Sequence, residues 1–115
     1  MAENKDDLVV TVKLTIGMPD EHELPGTFGK GTASLLRGVE KHGSLNKAAK
    51  ELRMAYSKAW RLVKEAEVHI GKDLMSRHGA HGSVLTEEGR HYLDVYSTIE
   101  KETSELAQKR FKELA

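Results

Sequence analysis

Apolar residues along this chain recur with two different periods, and each change of period marks a new element. From Leu8 to Ile16 they alternate, with Leu8, Val10, Val12, Leu14 and Ile16 on one face and Val9, Thr11, Lys13 and Thr15 on the other. Alternation among β-branched residues predicts a strand over 8–16 whose apolar face needs a partner. Gly17 to Gly31, with Pro19, Pro25 and several glycines, predicts a loop. From Thr32 the period becomes helical. Leu35, Leu36 and Val39 make the core face of a helix over Thr32–Lys41, assisted by Ala33 and ended by His42-Gly43. Ser44 is placed to N-cap a second helix, with Leu45, Ala48, Ala49 and Leu52 turned inward. Arg53, Met54 and Ala55 make a turn, and Met54 is placed to plug the gap between two helices. A third helix runs from Tyr56 to about Val68. Its inner face is Ala59, Leu62, Val63, Ala66 and Ile70, which leaves Tyr56, Ser57, Lys58, Arg61 and Lys64 outside.

A return to short alternating runs predicts a wing. Asp73–His78 and Ser83–Thr86 are its strands, and Gly79-Ala80-His81-Gly82 is its turn, a natural partner for the N-terminal strand. Thr86 is placed to cap a last helix, with Glu87 and Glu88 at its positive end and Gly89 where a capping box would carry Glu or Gln. No Pro or Gly follows Arg90. Tyr92, Tyr96, Ile99, Thr103 and Leu106 step by four and three, and Ala107, Phe111 and Leu114 carry the stripe on. At 1.5 Å per residue this helix spans roughly 40 Å, longer than a three-helix domain covers. The uncovered stripe asks for a second copy of the chain; the alternative is a helix capped by the N-terminal strand. The fold class expected is mainly α with a small antiparallel sheet: a winged helix-turn-helix with a long C-terminal dimerisation helix. Its parts are a loose stretch over 1–7, the strand and winged helix-turn-helix over 8–86, and the dimerisation helix over 87–115.

Composition narrows the setting. The chain has 115 residues, 38% of them hydrophobic, which suits one domain with one small core. It has no cysteine, so disulfides and Cys-based zinc sites are excluded, in keeping with a reducing cytoplasm. No apolar run is long enough to span a membrane. Glu3, Asp6 and Asp7 are the wrong chemistry for a signal peptide.

Charge adds more. The formal net charge is zero, yet Lys41 to Arg77 holds nine Lys or Arg against four Asp or Glu. A neutral chain that gathers its positive charge on a helix-turn-helix offers it to phosphates. Spacing by itself leaves the matter open, because paired amphipathic helices also occur in domains that bind no DNA.

Leu52, Arg61, Val63, Ile70-Gly71, Leu74 and Arg77 resemble the DNA-binding domain of LysR-type regulators. A closer resemblance, over roughly Phe28 to Tyr96, is to the N-terminal domain of ModE-type, molybdate-responsive regulators. It rests on Gly43-Ser44-Leu45, Ala48-Ala49, Tyr56-Ser57-Lys58-Ala59-Trp60, Leu85-Thr86 and Glu88-Gly89. This likeness implies a winged-helix transcription regulator that binds double-stranded DNA as a homodimer. Full-length relatives of that type carry molybdate-binding domains after the long helix. This chain stops at Ala115, so the resemblance is to a stand-alone DNA-binding half, with no tight binding of molybdate or tungstate expected and no effector indicated.

The residues expected on DNA are Tyr56, Ser57, Lys58 and Arg61 as base and phosphate readers. Lys47, Lys50, Arg53 and Lys64 are expected as phosphate contacts, with Ser44 beside them and Arg77, His78 and His81 from the wing. Dimerisation is assigned to Tyr92, Tyr96, Ile99, Leu106, Phe111 and Leu114. Trp60 sits at the edge of the buried face, where a contact between elements competes with base stacking. The turn of the wing has no Lys or Arg, which favours a rival reading as a protein-interaction module that keeps the fold without binding DNA.

Other chemistry finds little support. The run Gly26–Thr32 (GTFGKGT) is not a P-loop, because Leu24 and Gly31 stand where that pattern needs Gly and Ser or Thr. Its glycines are read instead as shaping the lead-in to the next helix, with Phe28 anchored in the core. Six histidines are present, but His78, His81 and His91 lack a fourth ligand at recognised spacing, so no metal or cofactor is expected. His42 and His69 read as polar residues at helix ends. No nucleophile–base set or carboxylate pair suggests an enzyme.

Overall fold

The computed structural model describes residues 7–77 and 82–115. The wing turn, with His78 and His81, and most of the N-terminal stretch expected to be loose lie outside the described residues. A 3-10 turn at Asp20–His22 precedes α1 (Lys30–His42), α2 (Leu45–Glu51) and α3 (Tyr56–Ile70). The strands β1 (Met75–Arg77) and β2 (Ser83–Leu85) follow, then α4 (Glu87–Leu114). Fold class is as expected: helical, with one antiparallel pair in the register Met75↔Leu85, Ser76↔Val84, Arg77↔Ser83.

The core forms where the apolar stripes of the helices meet. Phe28, Leu35, Leu36, Val39, Leu45, Val63, Leu74 and Tyr96 are buried there. Met54, in the turn between α2 and α3, packs half-buried against the core, and its amide donates to the Ala49 carbonyl at 2.9 Å. Leu52 does not join the core: it is the C-cap of α2 and 39% exposed, because the helix ends before its stripe completes another turn. Two glycines set the helix spacing. A Cβ on Gly38 of α1 would stand 2.5 Å from the Cβ of Ala48 in α2, so these helices touch backbone to side chain. A Cβ on Gly89 would run into the Leu74 carbonyl, which explains the glycine at the third position of α4. Thr86 caps that helix as read from the sequence, its hydroxyl accepting from the Gly89 amide at 2.9 Å.

The N-terminal segment departs from expectation. It is not a strand over 8–16: among the described residues it makes one bridge, which joins Ile16 to Phe28 through two hydrogen bonds of 2.8 Å. Among the described residues the wing strands pair only with each other, and the amide of Ser83 in β2 donates to the Gly43 carbonyl at 2.9 Å. The segment instead follows α4, where the Gln108 side chain accepts from the Val10 amide at 2.8 Å and donates to the Leu8 carbonyl at 3.1 Å. Val10, Leu14 and Ile16 are half-buried, so part of the expected apolar face is used.

One residue expected at the dimer interface lies elsewhere. Tyr96 belongs to the chain's own core, 1% exposed with its ring centroid 5.5 Å from that of Phe28, and so is not open to a second copy. Burial, and then the neighbouring Glu100 carboxylate, push its phenol above the usual range. His69 lies in the last turn of α3 as read from the sequence, and it is buried there: the loop after Ile16 folds over it and the Met18 amide donates to its Nδ1 at 2.8 Å.

Gly89→Ala tests this packing. Helix propensity alone would stabilise the variant by about 1 kcal/mol. Overpacking against a fixed carbonyl costs more, so a net loss of about 2 kcal/mol is expected in urea unfolding. A variant as stable as the parent would contradict the close approach of α4 to the wing.

Candidate nucleic-acid interface

Ser44 opens the candidate face. Its hydroxyl accepts from the Lys47 amide at 3.1 Å and starts α2, whose Ala48 and Ala49 seat against α1. Small residues there let α2 lie close, leaving Lys47 and Lys50 exposed on its far side. Arg53 takes a left-handed conformation (φ 56°) that turns the chain, and its side chain is exposed too.

The inner side of α3 is Ala59, Val63 and Ala66, all buried. That orientation turns Ser57, Arg61, Lys64 and Val68, which repeat every three or four residues, to solvent. Tyr56 and Trp60 fall on the flank toward the wing, and Lys58 lies exposed on the opposite flank. Two expected contacts are already engaged within the helix. Arg61 donates to Glu65 at 2.8 Å, and Lys64 pairs with Glu67 at 3.1 Å. Lys47, Lys50, Arg53, Lys58 and Arg77 make no ion pair among the described residues.

The wing is held against α3 by Glu67. This buried carboxylate accepts from the Leu74 amide at 2.8 Å with one oxygen and pairs with Lys64 through the other. Arg77, the last residue of β1, then reaches back over α3. Its guanidinium carbon lies 3.9 Å from the Trp60 ring centroid and 5.5 Å from that of Tyr56. A groove of about 520 Å³ results, with Ser44, Asn46, Tyr56, Arg77 and Ser83 among its lining residues. His42 and Glu51 join the ends of α1 and α2 at 2.6 Å. That hydrogen bond, and then the charge of Lys41, hold the Glu51 carboxyl below its usual range.

The structure therefore brings Ser44, Tyr56 and Arg77 together, while His81 lies outside the described residues. Sequence reasoning missed Asn46 and the structural part of Glu67. It left Trp60 undecided, although Trp60 stands four residues from both Tyr56 and Lys64, which puts all three along one side of α3. No helix among the described residues is long and apolar enough to cross a membrane.

A search among curated proteins returns no match. The family model for the bacterial regulatory helix-turn-helix protein, lysR family, matches residues 33–90, from within α1 through α2, α3 and the wing to the first turn of α4. The chain thus belongs to the lysR family of regulatory helix-turn-helix proteins, a family of DNA-binding transcription regulators rather than enzymes.

Proposed function

We propose that this chain works as a dimeric regulator that lays α3 in the major groove of duplex DNA. The observation that carries the reading is convergence: the start of α2, the start of α3 and the end of β1 meet at one groove, with Ser44, Tyr56 and Arg77 in its wall. Lys47, Lys50, Arg53 and Arg77 supply phosphate contacts, and Tyr56, Ser57, Lys58 and Arg61 read the groove. Arg61 exchanges Glu65 for a base on binding. An exposed intrahelical pair is worth only about 0.3–0.5 kcal/mol, against roughly 1–3 kcal/mol for a bidentate contact to guanine. Lys64 stays with Glu67 and serves the wing more than the DNA. The Tyr56–Trp60 run supports the likeness to molybdate-responsive regulators, without carrying their response. A regulator of bacterial DNA works in the cytoplasm.

The second copy docks on the outer face of α4. Ile99, Leu106 and Leu114 are 39%, 58% and 72% exposed, and Val95 extends their stripe toward the domain. Tyr96 is left out for the reason given above, and half-buried Phe111 shares the side of Gln108 that holds the N-terminal segment. Covering such a stripe gains roughly 25 cal/mol for each Å² removed from water.

A protein-interaction module is the second reading. It is favoured by Val68, 58% exposed on the outward face of α3, and by the engagement of Arg61 and Lys64 with their own carboxylates.

Gel-shift titrations across salt concentrations separate the two. Lys50→Ala should weaken binding to all duplexes about equally and lower the salt slope by about one. Arg61→Ala should relax preference at one base pair. Absence of binding at low salt would support the interaction module.

Assembly is tested by Ile99→Asp with Leu106→Asp. Both positions are exposed, so the fold should survive, while light scattering should change from dimer to monomer and binding to a two-fold site should collapse. A parent chain that is monomeric at tens of micromolar, or a double variant still dimeric, would place the interface elsewhere.

A further inference from the structure

The contact between Trp60 and Arg77 assigns a task to the chain's one tryptophan. Trp60 is half-buried and packed on the core, so its ring is a fixed platform. Two cations share it: the Arg77 guanidinium at 3.9 Å from the ring centroid and the Lys64 ammonium at 4.5 Å. Lys64 has the Glu67 carboxylate beside it, whereas Arg77 has no ion pair among the described residues. A planar guanidinium resting on a ring still offers its edge donors outward, in the fork that suits phosphate oxygens. The cost of ordering a long, mobile side chain is met before any ligand arrives. Arg77 also lines the groove between α2 and β1.

We propose that Trp60 is a positioning residue, whose indole face holds Arg77 ready to grip a phosphate of the DNA backbone. The anchoring cation of the wing is then borne by the end of β1 and carried by the recognition helix. Trp60 itself touches no base. This inference rests on the DNA-binding reading above. It also predicts that lysine cannot replace Arg77, because an ammonium keeps the charge but has no planar face to stack.

A double-variant cycle with a 30-base-pair mixed-sequence duplex at low salt tests it, with circular dichroism to check each fold. Trp60→Ala should weaken binding roughly fivefold in the parent and hardly at all in an Arg77→Ala background. Trp60→Phe should restore most of the loss, since it keeps a ring. Arg77→Ala should lower the salt slope by about one. In the free protein, Arg77→Ala should change Trp60 emission and its quenching by iodide. Additive effects of Trp60→Ala and Arg77→Ala, or Trp60 fluorescence indifferent to Arg77→Ala, would overturn the positioning role while leaving DNA binding intact. Failure of every chain to bind duplex would overturn the DNA reading and this proposal with it. Should Trp60→Ala not fold, Arg77→Lys decides: a several-fold loss is expected, and parental affinity would overturn the proposal.

Discussion

The backbone of Leu74 is where α3, the wing and the long helix are tied together. Its amide donates to the buried Glu67 carboxylate of α3, and its carbonyl accepts from the Thr86 amide just before α4. The Thr86 hydroxyl donates to the carbonyl of Asp73, next door, and accepts from Gly89. With the Leu74 side chain fully buried, neither end of this junction can slide. Removing the carboxylate would strand a buried N–H, at a cost of roughly 1–3 kcal/mol. The direction in which β1 leaves this junction determines where Arg77 ends. Wing and helix therefore present one face because a single residue is bonded on both sides.

That face resolves the tension between a neutral chain and a phosphate partner. Positive charge is concentrated on the segment between α1 and β1, and much of it has no partner within the described residues. The two cations that are paired play different parts. Lys64 neutralises the carboxylate that secures the wing, which a buried acid needs. Arg61 sits in a solvent-exposed pair with Glu65, which contributes little to stability.

The helices were legible because their apolar residues repeat with helical period and Gly43, Ser44 and Thr86 mark the ends of α1, α2 and α4 by capping chemistry. What was not legible depended on contacts far apart in sequence. Alternation in LVVTVKLTI separates two faces but does not name a neighbour; the neighbour proved to be Gln108, about a hundred residues away. In α4, steps of four and three run through Tyr96, Ile99 and Leu106 alike. Only the position of Phe28 shows that Tyr96 turns inward while Ile99 and Leu106 turn out. The helix-end place of His69 was legible, but its burial depends on the loop at Met18, which lies over it. On the candidate face, the exposed cations could be named from the pattern, but the stack that gathers Trp60, Lys64 and Arg77 required the wing to be placed.

In the proposed complex, the outward face of α3 enters the major groove. Dimethyl sulfate protection reads this directly, since it modifies guanine N7 in the major groove and adenine N3 in the minor groove. On a duplex selected for binding, guanine N7 positions should be protected in two clusters about one helical turn apart, one for each copy of α3. Protection confined to adenine N3, or none at saturating protein, would contradict it.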